Sequence, residues 1–202
     1  MRLAIFSIVL ALGMSGCASQ PIAVINAAAD AVGDAAGIKA VNTLVIEGTG
    51  ENFNLGQSVS PDAPLPKLTV TSSKRSIDYM NSRWRLEQAR TPTYVTANTT
   101  PNQPQILGID GDVAYNVPAT GPATRAAEQV AQDRHSELFH HPIGALRAAL
   151  DDGAKVTNQR KEGNDDVVDV EVGKDKFTLY VDSTTKLPSR VVTMTYNANL
   201  GD

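Results

Sequence analysis

The residues of this chain best suited to chemistry are three histidines, His135, His140 and His141, gathered with Glu137 in one short stretch. Such a cluster could hold a metal ion or move a proton. A catalytic zinc centre takes three protein ligands in a fixed geometry. Glu137 and His141 stand four residues apart, but adjacent histidines point in different directions and Pro142 interrupts the helix directly after them. The spacing therefore favours packing or capping roles, and no metal ligand is assigned. Paired carboxylates are the next candidates for acid–base work. Asp30 and Asp34 read as a solvated helix face. Asp151/Asp152 and Asp165/Asp166 fall in apparent turns, where acidic side chains bond to nearby backbone. The chain has no Gly-x-Ser-x-Gly elbow and no complete set of serine–lysine motifs. Glu51-Asn52-Phe53-Asn54 has a glycine-bearing surrounding but no phosphate-cradling pattern. No catalytic and no cofactor-binding residue is assigned within these residues.

The only cysteine, Cys17, belongs to a different kind of signal. Arg2 precedes an apolar run from Leu3 to Leu12, and small residues then lead to Cys17. The run is shorter than the roughly 20 residues needed to span a bilayer and has the layout of a secretory leader. Met14-Ser15-Gly16-Cys17 resembles the lipobox of bacterial lipoproteins, in which the cysteine is lipidated and becomes the N-terminus. Three fates of Cys17 stay open: lipidation, removal by cleavage after Ser19, and retention as a free thiol. Lipidation implies export to the bacterial periplasm or outer membrane, with the membrane as a partner.

Composition narrows the field further. The chain has 202 residues, 42% of them hydrophobic, and a net charge of −4. That supports a folded core, and residues 21–202 suit a single β-rich domain behind a leader at 1–20. No basic patch with interleaved aromatics occurs, so nucleic acid is not an expected partner.

The positioning elements follow from periodicity. Val24, Ile25, Ala28, Val32 and Ala35 keep helical spacing over Ile22–Ala36, with Gly37 as the expected stop. Leu44 and Ile46 alternate up to Gly48, giving a strand that ends in a polar, glycine- and proline-bearing loop. Strands follow around Leu68–Tyr79 and Arg83–Arg90, with a turn at Asn81-Ser82. Thr91–Pro104 reads as a long polar loop. Asp110-Gly111 predicts a tight type I′ hairpin between Ile106–Ile109 and Val113–Val117. A helix is expected over Ala123–Phe139 and a second from Pro142 to Leu150. Val156, Val168–Val172, Phe177–Val181 and Val192–Tyr196 then form a meander. Tyr79, Trp84, Tyr115, Phe177, Tyr180 and Tyr196 either line an apolar concavity or fill a core.

This order of elements resembles the lipoprotein-carrier type of fold. The hairpin Asp-Gly-Asp-Val-Ala-Tyr-Asn-Val and the closing Tyr-Val-Asp-Ser-Thr-Thr-Lys-Leu-Pro-Ser-Arg-Val carry the resemblance, the latter through a D-x-x-T-x-L-P-x-R pattern. It implies an α+β fold in which a curved antiparallel sheet, half-barrel-like, packs against the N-terminal helix and a central helical insertion. It also implies a concavity for an acyl chain or other apolar ligand. Residues 96–103, 110–117 and 140–150 are similar to the N-terminal region of exported hydrolases of the metallo-β-lactamase fold. That resemblance implies a non-catalytic accessory domain beside a downstream catalytic domain, with zinc expected only there, in a His-x-His-x-Asp-His motif. It further implies that strands are missing after Asp202, leaving an open sheet edge.

Overall fold

The computed structural model describes residues 20–54, 58–93 and 101–195. Cys17 and Tyr196, and the greater part of the leader, lie outside these residues. Among the described residues the fold is α+β, with ten strands divided between two antiparallel sheets and four α-helices. No helix among the described residues is long and apolar enough to cross a membrane.

Helix α1 spans Gln20–Val32 and α2 spans Ala35–Ala40. The break falls before Gly37, contrary to the sequence expectation, because Asp34 adopts an extended conformation and its carboxylate accepts the Gly37 N–H at 2.5 Å. Asp34 thus starts a second helix, and Gly37 sits inside it. An N-cap carboxylate outweighs the stop signal of a glycine here.

The first sheet follows in sequence order: β1 (Thr43–Phe53), β2 (Lys67–Asp78), β3 (Arg83–Pro92), β4 (Gln103–Asp110), β5 (Val113–Val117) and the short β6 (Thr124–Arg125). β1 runs straight through Gly48 and Gly50, where a loop was expected. Its register with β2 skips one β2 residue between Gly48↔Ser73 and Gly50↔Val70. The same extra residue separates Val70↔Arg90 from Ser72↔Ala89, which puts the bulge at Thr71. The Thr71 hydroxyl donates to the Ala89 carbonyl at 3.2 Å. The Asn81-Ser82 turn forms as expected, with Ser82 at φ 49° and the Asp78 carboxylate holding Asn81 and Arg83.

Between the sheets lie α3 (Glu128–Ser136), a 3₁₀ turn (Glu137–Phe139) and α4 (Pro142–Ala149). Proline opens α4, where its missing N–H costs nothing. The expected helix over Ala123–Phe139 begins later, because Thr124 and Arg125 pair with Asn116 and Tyr115. The second sheet has the order β10-β9-β8-β7, with β7 (Lys155–Glu162), β8 (Asp165–Val172), β9 (Asp175–Asp182) and β10 (Pro188–Val192).

Three hairpins share one turn chemistry. Gly111-Asp112, Gly163-Asn164 and Gly173-Lys174 each place glycine first, at φ of 57°, 60° and 57°. The second residue of each keeps a negative φ, so the Asp110–Val113 turn is glycine-led, of the II′ kind, rather than the expected type I′.

One core joins both sheets and the helices. Val24, Ile25, Ala28 and Ala29 of α1, Leu146 and Ala149 of α4, and Val168, Val170, Phe177, Leu179 and Val181 of the second sheet meet Ile77, Trp84 and Ile109 of the first. Registers align Leu44, Ile77, Trp84, Ile109 and Ala114 as one row across the inner face of the first sheet. The helices cover this row. Further along the same face the rows are Ile46, Arg75, Leu86 and Leu107, then Gly48, Ser73, Gln88 and Gln105, then Gly50, Val70 and Arg90. Ser73, Gln88, Gln105, Val70 and Arg90 stand outside the core cluster.

Candidate functional site

Beyond the helix-covered row, the described residues of the inner face form a groove of about 480 Å³, at whose floor Val70 is buried. Ile46, Val70, Ile77 and Leu86 give it apolar walls, while Ser73 and Gln88 add hydroxyl and amide groups. A Cβ placed on Gly48 or Gly50 would meet nothing within 4 Å, so the two glycines leave the β1 side open. The volume lies in the range of small-molecule pockets.

The helical junction closes one end of the groove. Arg75 pairs with Glu137 at 2.6 Å, and its guanidinium stacks 4.5 Å from the Trp84 ring centroid. His140 and His141 line the same end. His140 Nε2 lies 3.0 Å from Thr193 Oγ1, and burial holds its pKa below the ordinary histidine value. His141 caps α4, its Nδ1 accepting the Ile143 N–H at 3.2 Å, and burial lowers its pKa too. A neutral imidazole is the form this cap requires.

The third histidine is elsewhere. His135 lies 3.0 Å from the Asp175 carboxylate and edges against Phe139, linking α3 to the start of β9. The four residues flagged together by sequence thus make four separate contacts, although Glu137, His140 and His141 line the same end of the groove. Among the described residues, no group of three or more His, Cys, Asp or Glu is disposed to hold a metal ion.

The carboxylate pairs also separate. Asp151 accepts the Gly153 N–H, Asp152 pairs with Lys39 at the surface, Asp165 accepts from the Ser189 hydroxyl, and Asp166 lies between Lys161 and Lys186. Asp30 is exposed on α1.

Among the described residues, Tyr79, Trp84, Tyr115, Phe177 and Tyr180 do not together line one concavity. Trp84 and Phe177 are in the core, the latter stacked on Phe139 at 5.1 Å. Tyr115 lies on the outer face, opposite Gly108, whose missing Cβ makes room for its ring. Tyr79 sits beside α4 with its hydroxyl buried and without a partner among the described residues, and burial pushes its pKa up to about 12. Tyr180 donates to Glu162 at 2.9 Å under the Arg190 guanidinium on the second sheet.

The D-x-x-T-x-L-P-x-R pattern has a structural explanation. Asp182 accepts from Thr184 N, Thr185 N and the Thr185 hydroxyl, Leu187 accepts the Asp182 N–H, Pro188 opens β10, and Arg190 stacks 3.7 Å from the Tyr180 centroid. The motif builds the β9–β10 connection.

Sequence reasoning missed the groove, since Gly48 and Gly50 read as loop punctuation. Their flanking alternation, Leu44, Ile46 and then Asn52, was the available signal. No protein-family model, curated protein or solved structure matches the chain.

Proposed function

We propose that this chain is a non-catalytic binding module, a β half-barrel that holds an elongated amphipathic ligand such as an acyl chain in its inner-face groove. The observation that supports this reading most is the split character of that face. One half is sealed by helices, and the other is a groove of about 480 Å³ with apolar walls and a charged, histidine-bearing end. An apolar tail fits along Ile46, Val70 and Leu86, and a polar head fits near Arg75 and His140. Lipidation of Cys17 at the periplasmic face of a bacterial membrane places such a module where acylated ligands occur.

Displacement of a fluorescent fatty acid from the full chain, with native mass spectrometry of the purified protein, tests this. Saturable binding is expected. Gly50→Leu, which puts a side chain into open space in the groove, should abolish it while leaving the melting temperature intact. Absence of both bound lipid and fatty-acid binding overturns the reading.

A second reading is an accessory domain of an exported metallo-hydrolase. The resemblance read from the sequence at residues 96–103, 110–117 and 140–150 motivates it, and of these, residues 110–117 form the turn into β5 and residues 140–150 the segment of α4 preceded by His140 and His141. Coding sequence downstream of Asp202 containing His-x-His-x-Asp-His would support it, and a stop codon there would reject it.

A further inference from the structure

We infer that the free edge of β1 is a docking site for an extended, lysine- or arginine-bearing segment of another protein, which adds to the first sheet as an extra strand. The inference is independent of what the groove holds. β1 is an edge strand of eleven residues that pairs only with β2 among the described residues. Strands usually run to about five or six residues, and edges are usually kept short, bulged or covered. Here the bulge lies in β2 at Thr71, and β1 itself keeps an unbroken alternation along its whole length. An edge of this kind presents a continuous row of main-chain donors and acceptors, which a strand satisfies in full.

The side chains specify the kind of strand. The outer face of β1 carries Val45, Glu47, Thr49, Glu51 and Phe53, with Val45 54% and Phe53 55% exposed. β1 has two glutamates and no basic residue. Glu47 pairs with Lys74 at 3.2 Å, and Glu51 with Lys67 at 2.6 Å, each on the β2 side. A carboxylate has about four acceptor sites, so both keep capacity toward the open edge. An incoming strand with Lys or Arg opposite them completes a cation–carboxylate–cation ladder, and apolar residues at its ends cover Val45 and Phe53. A second copy fits poorly: antiparallel β1–β1 pairing gathers four glutamates on one face with no cation on either strand. Like charges facing across strands are unfavourable.

The test uses the full chain and two capped peptides, Val-Thr-Lys-Val-Thr-Val-Lys-Thr-Val and its counterpart with Glu for Lys, in which positions 1, 3, 5, 7 and 9 share the face opposite Val45, Glu47, Thr49, Glu51 and Phe53, followed by fluorescence anisotropy and amide exchange. The lysine peptide should bind in preference and protect amides of β1. The surface double variant Glu47→Lys/Glu51→Lys should invert the preference, each peptide changing by about tenfold in affinity from two cross-strand charge pairs. Circular dichroism of the variant checks that the fold is retained. Equal binding of both peptides, an unchanged preference in the double variant, or protection confined to other strands overturns the inference. So does a dimer by light scattering whose formation buries the β1 amides, since the edge then belongs to a second copy.

Discussion

The indole Nε1 of Trp84 donates to the backbone carbonyl of Arg134 at 2.8 Å, while the Arg134 guanidinium reaches back to the sheet. Arg134 donates to the Gly108 carbonyl at 3.1 Å, to the Tyr115 carbonyl at 2.5 Å and to the Asn116 side chain at 2.6 Å. Each residue thus anchors the other's element, and α3 is stitched onto β3, β4 and β5. Arg134 is only 8% exposed and forms no ion pair among the described residues, and burial lowers its pKa from the ordinary arginine value against the opposing pull of Glu137 and Asp133. Hydrogen bonds carry what an ion pair would otherwise supply.

Removing either half of the stitch should be costly. Arg134→Met keeps the stem and leaves two carbonyls and an amide without their donor, a loss of about 1–3 kcal/mol. Trp84→Phe removes the N–H and leaves a void beside Ile77 and Ile109, also about 1–3 kcal/mol. Because the two are coupled, the double variant should lose less than both single losses added together. Urea unfolding of the four proteins measures this, and strict additivity would show that the contacts act separately.

Gly144 gives a prediction opposite in sign to the usual one. Glycine to alanine inside a helix normally stabilises by up to about 1 kcal/mol. In α4, a Cβ at this position would press on the Leu138 carbonyl oxygen and come 3.1 Å from the Tyr79 ring and hydroxyl. Gly144→Ala should therefore destabilise by about 1–3 kcal/mol, as overpacking does. Gly33→Ala, where a Cβ meets nothing within 4 Å, is the control and should leave the midpoint nearly unchanged.

The sequence made some of this legible and hid the rest for identifiable reasons. Period-two alternation in Val168–Val172 and Phe177–Val181 located β8 and β9 because both have one face in the core. Pro142 located α4 because proline suits only a first helical turn. The uninterrupted run of β1 was hidden because glycine weakens a strand locally, and pairing along β2 outweighs that weakness. Asp34 reads as part of a solvated helix face, yet its cap splits the first helix. The histidines could be placed near one another, but the partners of His135 and His140 come from β9 and the 193 position, far off in sequence, and only His141 finds its partner locally, in the α4 backbone.

Two of those histidines set a pH dependence. Burial favours the neutral ring of His140 and of His141 in the folded state, so both folded pKa values lie below the ordinary 6.5. As pH falls through about 6.5 the unfolded chain takes up these protons and the folded chain does not. Stability from this source is complete above that pH and declines below it, down to the folded values. Protonation of His141 also removes the acceptor for the Ile143 N–H. His141→Asn supplies an equivalent cap and should match the parent within about 0.5 kcal/mol at neutral pH. Its stability should fall less steeply between neutrality and mild acid. Urea midpoints across that range decide the matter, and an unchanged slope would remove His141 as a source.

Asp182 governs a second, more acidic window. Its Oδ1 accepts from Thr184 N at 3.0 Å, Thr185 N at 2.7 Å and the Thr185 hydroxyl at 2.9 Å, and its Oδ2 accepts from Asn164 Nδ2 at 2.7 Å. These bonds favour the ionised form and lower the pKa below 3.8. The contribution is therefore present above about pH 3.8 and is lost as pH falls through the folded value. The turn it holds includes Lys186 at φ 61°, a conformation that a lysine adopts only when its surroundings enforce it. Asp182→Ala should release the connection, so that amides of Thr184 and Thr185 and of β10 exchange faster while those of β8 keep their protection. Asp182→Asn, which retains one acceptor oxygen, should fall between the two and lose the acid response. Residue-resolved amide exchange at neutral and acidic pH reads both effects, and equal protection of β10 in the alanine variant would show that Arg190 on Tyr180 suffices to hold that strand.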